Sequence, residues 1–120
     1  MPRILTRRIY EPASVHDGLR ILVDRLWPRG MSKAAAALDL WAKDTAPSDA
    51  LRRWFDHRQD RFGEFERRYL GELASNPAVG ELRHFIGGAT ATLLFAAKDP
   101  EVNHAVVLAG LLSATHPPTP

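Results

Sequence analysis

Hydrophobic positions fall into three patterns along the chain, and each predicts a different element. Ile4 to Tyr10 mixes β-branched, aliphatic and basic residues, which predicts a first strand with its arginines on a partly exposed face. Pro12 and the Asp17-Gly18 turn pair follow, so a loop leads into a second strand over Arg20 to Asp24. Thr90 to Ala97 is short and continuously apolar, as a strand buried on both faces is. Between these, Leu51, Trp54, Phe55, Phe62, Phe65, Tyr69 and Leu73 recur at helical spacing and mark one buried stripe. Polar residues from Asp56 to Asp60 interrupt that stripe, which predicts a bend between a short helix and a longer one.

Capping residues set the helix boundaries. Ser32 caps a short alanine-rich helix over Lys33 to Leu38, and the segment from there to Pro47 reads as irregular. Ser48 caps the next helix, with Asp49 in its first turn to suit the helix dipole. Asn76-Pro77 pairs a cap with a proline at the first helical position, and Gly87-Gly88 closes that helix near Phe85. Asp99-Pro100-Glu101 repeats the device and predicts a final helix through Leu112, with Asp99 as its cap. Strands separated by helices are parallel and joined by crossovers, so the chain predicts an α/β fold. The expectation is a small single domain over residues 1–114, a short, mostly parallel sheet flanked by helices, with a disordered tail at 115–120.

A chain of 120 residues holds one core and not two. It has no cysteine, which excludes disulfides and thiolate metal sites and makes a reducing cytoplasm the natural compartment. The polar N-terminus lacks the apolar stretch of a secretory signal, and no run approaches a membrane span, so no membrane partner is expected. Net charge is only +2, but the first thirty residues carry six arginines against three acids. Thirteen of the sixteen bases are arginine, which suits planar carboxylate or phosphate partners.

Candidate chemistry gathers where the strands end. The stretch VDRLWPRG puts Asp24, Arg25, Trp27 and Arg29 into a turn stiffened by Pro28. Lys98, Asp99, Asn103 and His104 follow the apolar strand in the same way. Ligands of open parallel sheets sit beyond the carboxyl ends of the strands, so both clusters are expected at one edge. Arg25 and Arg29 can each present a fork of donors to an anion, the alternative being a structural ion pair with Asp24 or a helix acid. Trp27 could form a flat wall for a ring, although such a tryptophan more often covers a sheet edge. Lys98 would meet an anion drawn to the first turn of the last helix. Asn103 and His104 would lie one turn into that helix, and histidine carries protons near neutral pH. No two histidines have ligand spacing on a helix, and no glycine-rich phosphate or dinucleotide loop follows either strand, so neither metal nor cofactor is expected. The pairs Arg7-Arg8, Arg52-Arg53 and Arg67-Arg68 are interrupted by acids such as Glu64 and Glu66, and suit a solvated face better than a nucleic-acid stripe.

The pieces IYEP, DGLRILVDRLWPRG, KAAAALDLWAKDTAPS, LRRWF, EFERRYLGEL and TLLFAAKDPEVNHAVVL occur in order from Ile9 to Leu112. Together they resemble the YeaO-like branch of the bacterial domain-of-unknown-function family 488. The resemblance implies a small single-domain α/β cytoplasmic protein and brings no activity with it. It places Asp24, Arg25, Trp27, Pro28, Arg29, Gly30, Lys33, Trp41, Lys43, Pro47, Ser48, Lys98, Asp99, Asn103 and His104 in the characteristic motifs. Arg58-Gln59 departs from an aspartate-proline helix start in relatives, which weakens the expected helix break.

These residues converge on one expectation: a small enzyme or binding protein that takes an anionic small molecule between Arg25, Arg29, Lys98 and the last helix. His104 would carry protons, with Asp24 orienting it or an arginine, and Trp27 and Asn103 would complete the contacts. The alternative is a nucleic-acid or protein binding module that uses the basic N-terminal segment.

Overall fold

A computed structural model describes residues 3–114, so the tail expected at 115–120 lies outside the described residues. Four strands form one sheet in the order β1-β4-β2-β3: β1 (Ile4–Arg8), β2 (Leu19–Leu22), β3 (Leu40–Trp41) and β4 (Ala91–Phe95). Every pairing is parallel, as the crossover argument predicts. β4 sits in the middle, with each of its five residues buried, which is why its sequence shows no polar alternation.

The two faces of the sheet are covered unequally. Ile21, Val23, Leu93 and Phe95 point to a thick layer made by α2 (Asp49–Phe55), α3 (Phe62–Ala74), α4 (Pro77–Ile86) and α5 (His104–Ser113). The aromatic stripe belongs to that layer, where Phe55 and Phe65 stack with ring centroids 4.2 Å apart. On the opposite face, Leu22 and Leu94 meet a thin cover made by Ile9, the four-residue α1 (Lys33–Ala36) and the partly buried Trp27 and Trp41.

The predicted caps at Ser32, Ser48 and Asn76 form, each side-chain oxygen accepting a backbone N–H of the first turn. The helix break also forms despite Arg58-Gln59, because Asp56 and His57 take the left-handed conformation in succession, at φ 48° and 55°. Three expectations are corrected. First, α1 ends at Ala36 and not at Leu38. The Arg20 guanidinium donates twice to the Ala36 carbonyl (3.0 and 2.8 Å), and Ala37 turns left-handed. Second, the segment read as irregular contains β3, pairing Leu40 with Ile21 and Trp41 with Leu22. A two-residue strand shows no periodicity, and this one is registered by Asp39, whose carboxylate accepts the Arg20 N–H at 2.8 Å.

Third, the last helix starts at His104, and its cap is Asn103. The Asn103 amide is buried, accepting from Val106 N–H (3.0 Å) and donating to the Asp99 carbonyl (2.8 Å). Asp99 instead closes the preceding turn by accepting from the Glu101 and Val102 N–H groups. Asn103→Ala is therefore expected to cost about 1–2 kcal/mol and Asp99→Ala a few tenths, about the scale of an exposed turn contact, in denaturant melts. Equal losses would return the cap to Asp99. Among the described residues no helix is long and apolar enough to cross a membrane.

Candidate functional site

Because the strands are parallel, all four deliver their exit loops to one edge, and there a cleft of about 790 Å3 opens. The exit of β2 contributes Asp24, Arg25, Trp27 and Arg29, and the exit of β4 contributes Lys98, Asn103 and His104. The structure thus brings the two sequence-predicted clusters into one cavity. Tyr10, Arg52, Phe55 and His57 also line it, although the sequence reading gives none of them a place in the site. Tyr10 could have been given one, since it ends the first strand as Asp24 ends the second.

Backbone anchors hold the loops. Tyr10 donates its hydroxyl to the Arg29 carbonyl (2.9 Å), fastening the turn after β2 to the end of β1. Arg8 donates to the carbonyls of Ala97 and Ala96 (2.9 and 3.3 Å), which fixes the chain just before Lys98. Trp41 donates to the Asp24 carbonyl and Trp27 to that of Met31, both at 2.7 Å, and the two indoles meet edge to face at 5.4 Å. Trp27 covers the thin face while one side of it borders the cleft.

Arg25 forms no ion pair with Asp24 or a helix acid. Its guanidinium donates to the carbonyls of Ala46 and Pro47 (3.2 and 3.4 Å), so its charge is held in place without being cancelled. Among the described residues, Arg29 and Lys98 likewise have no carboxylate at salt-bridge distance. Lys98 is exposed and stands apart from the helix start, because α5 begins six residues later. Ser48 is fully engaged: its hydroxyl donates to Glu72 at 2.6 Å and accepts from Leu51 N–H.

Among the described residues, Asp24 and His104 are the one acid-base pair in contact in the cleft. Asp24 accepts the Ala96 N–H on Oδ2 (3.0 Å), and its Oδ1 lies 2.9 Å from Nε2 of His104. That same Nε2 is 3.2 Å from the Val23 carbonyl. Both neighbours are acceptors only, so Nε2 is the nitrogen that carries a proton toward them. The N–H aims at Val23, which leaves the buried Oδ1 without an aligned hydrogen bond. Next to this pair, burial pushes the Tyr69 hydroxyl well above its ordinary range, helped by the charges of Glu72 and Asp24. Tyr69 therefore stays protonated and donates to the Thr45 carbonyl at 2.5 Å.

The paired arginines outside the cleft have partners. Arg7 bonds Asp17 at 2.9 Å, and Arg67 and Arg68 share Glu64, which their hydrogen bonds hold at about 2, below the ordinary carboxylate range.

Fold and cleft together define a small α/β domain on a wholly parallel sheet, with a ligand-sized cavity at the carboxyl edge. The chain belongs to family 488 of the domains of unknown function: the family model described as "Inactive DUF488-N3 subclade" matches residues 3–117. It is 44% identical over 110 residues to the uncharacterised protein YeaO of Escherichia coli, covering 91% of this chain and 96% of that one. An uncharacterised protein of Mycobacterium tuberculosis is 42% identical over 111 residues, covering 92% of this chain and 94% of its own. No solved structure matches the chain.

Proposed function

We propose that the protein is a cytoplasmic binding protein for a small anionic molecule, which it holds in the cleft between Arg29, Lys98 and the carbonyl-anchored Arg25. The carrying observation is an excess of uncancelled positive charge in one cavity. Among the described residues the two carboxylates there do not pair with Arg25, Arg29 or Lys98: Asp24 accepts the Ala96 N–H and lies beside His104, and Asp99 accepts two backbone N–H groups. A carboxylate or phosphate is the partner that forked guanidinium groups select. His104 meets the ligand at Nδ1, its Nε2–H being directed at the Val23 carbonyl beside Asp24. Asn103 and Trp27 shape the wall, since the carbonyl side of the one and the indole N–H of the other are already engaged.

Binding without turnover is supported by the word "inactive" in the family description and by the side chains at hand. Among the described residues, no hydroxyl or thiol other than the Tyr10 phenol lines the cleft, and the phenol is bonded to the Arg29 carbonyl.

The test is thermal unfolding with inorganic phosphate and sulfate. A ligand at ten times its Kd stabilises the folded state by about 1.4 kcal/mol, worth roughly 5 °C for a chain of this size. The wild-type chain is expected to show that shift. Arg29→Ala and Lys98→Ala are expected to melt within about 0.5 kcal/mol of wild type without anion, as surface substitutions do, and to lose most of the shift. Loss of more than about 3 kcal/mol in Arg29→Ala, with the anion response intact, would make Arg29 a structural residue and sink the assignment.

A further inference from the structure

Positive charge enters the cleft from both edges of the sheet. At one edge is β1: Tyr10, just beyond it, holds the Arg29 carbonyl, and Arg8 holds the carbonyls of Ala96 and Ala97 immediately before Lys98. At the other edge is β3, and the chain that follows it receives Arg25 and carries Arg52. The Arg25 guanidinium reaches the carbonyls of Ala46 and Pro47 through Nη2 alone, so among the described residues its Nε and Nη1 have no partner. Arg52 stands one turn into α2, where its N–H donates to the Ser48 carbonyl. Its half-exposed guanidinium lies 3.6 Å from an equally exposed Asp49, and a pair of that kind cancels little charge. Arg25 and Arg29 are near neighbours in the sequence, yet their anchors follow opposite edge strands.

A negative charge stands between the two sets of cations. Asp24 follows β2 and accepts the Ala96 N–H from the exit of β4, and β2 and β4 are the inner strands of the sheet. Its carboxylate repels an anion placed in the middle of the cleft, which leaves the two flanks as the favourable positions. A polyanion charged along its whole length is disfavoured by this arrangement, whereas a molecule charged only at its ends matches it. Size agrees with that reading. The edge strands are three spacings of about 4.8 Å apart. The cleft, at about 790 Å3, has room for far more than one tetrahedral anion.

We infer that the cleft recognises a molecule with two separated anionic ends and an uncharged body, one end bound by Arg29 and Lys98 and the other by Arg25 and Arg52. This rests on the anion-binding reading and adds the second charged group, and its distance from the first, to it. Joining two weakly held anions in one molecule makes the second contact intramolecular, so the gain depends on whether the linker spans both sites.

Calorimetry on the full chain at fixed pH and ionic strength, with methylphosphonate, methylene diphosphonate and hexylene diphosphonate, varies the spacing and keeps the head group. Hexylene diphosphonate is expected to bind at least about tenfold tighter than either of the others. Arg52→Gln is expected to remove most of that gain and to leave methylphosphonate unchanged. Arg53→Gln, which deletes the same charge from the next position on α2, outside the cleft, is expected to keep the gain. Both arginines are exposed, so the fold tolerates either change. Methylene diphosphonate matching hexylene diphosphonate would overturn the inference, as would a gain that survives Arg52→Gln or one that Arg53→Gln removes equally. In each of those cases, methylphosphonate binding that Lys98→Ala abolishes leaves the anion site standing. No binding by any of the three compounds would bring down both.

Discussion

Asp17→Asn is expected to destabilise the fold by about 3–5 kcal/mol, although the residue lies at the sheet edge opposite the cleft. Asp17 is 2% exposed and Arg20 5%, and they meet at 2.6 Å. The same carboxylate accepts from Arg7 (2.9 Å) and from the Ser14 N–H (2.9 Å), while Arg20 also donates twice to the Ala36 carbonyl. Removing the charge leaves a buried guanidinium uncompensated. Burial opposes ionisation of Asp17, but the Ser14 N–H and the two guanidinium groups outweigh it and hold the carboxyl below its ordinary 3.8. A carboxyl depressed in the folded state stabilises fully above the unfolded value and loses that contribution as the pH falls through the folded one. Wild type should therefore lose stability on acidification below about pH 4, and the variant should show a shallower acid limb. Denaturant midpoints between pH 2 and 7 decide the matter. Parallel curves would remove Asp17 from the acid response, and a loss under about 1 kcal/mol would show the pair to be dispensable.

Gly18→Ala is expected to cost about 3 kcal/mol or more for a reason that has nothing to do with charge. Gly18 has φ +65° and ψ −137°, a region that costs a residue with a side chain about 1–3 kcal/mol. A Cβ there would also stand 2.1 Å from the carbonyl oxygen of Thr90, which is backbone and accepts the Leu19 N–H at 2.9 Å. Relief requires β2 and β4 to part where their pairing begins. Gly30 offers the internal comparison, with φ +76° and open space around it, so Gly30→Ala should show only the conformational cost of about 1–2 kcal/mol. Equal melting temperatures for the two variants would mean that the collision with Thr90 is not felt.

Much of this architecture was legible in the sequence because local chemistry announced it. Ser32, Ser48 and Asn76 cap helices wherever the chain allows them to, and the unbroken apolar run at 90–97 could only be an interior strand. The sheet-edge rule put the exits of β2 and β4 at one edge, where both lie. What escaped depended on partners distant in sequence. β3 exists because the free edge of β2 and the Asp39 carboxylate capture two residues that have no pattern of their own. Asp99 and Asn103 are equally good cap residues, and Pro100 favoured the wrong one. The buried Asn103 wins because its amide satisfies Val106 and the Asp99 carbonyl together. Arg25 reads in sequence as an anion fork or, alternatively, half of an ion pair, and only the path of residues 46–47 shows that two carbonyls hold it.

The unequal cover of the sheet has a consequence for how the molecule breathes. Thick-face elements share one large cluster of buried side chains, whereas the segment from Arg25 to Trp41 rests on the thin side through Ala36, two half-buried indoles and a handful of hydrogen bonds. Opening free energies follow buried apolar contact, so this segment detaches at lower cost than the helices do. Its amide protons should then exchange with solvent well before those of β4, through excursions in which the helical layer stays closed. One wall of the cleft rides on that segment and the other on the helices, so the cavity can widen without the protein unfolding.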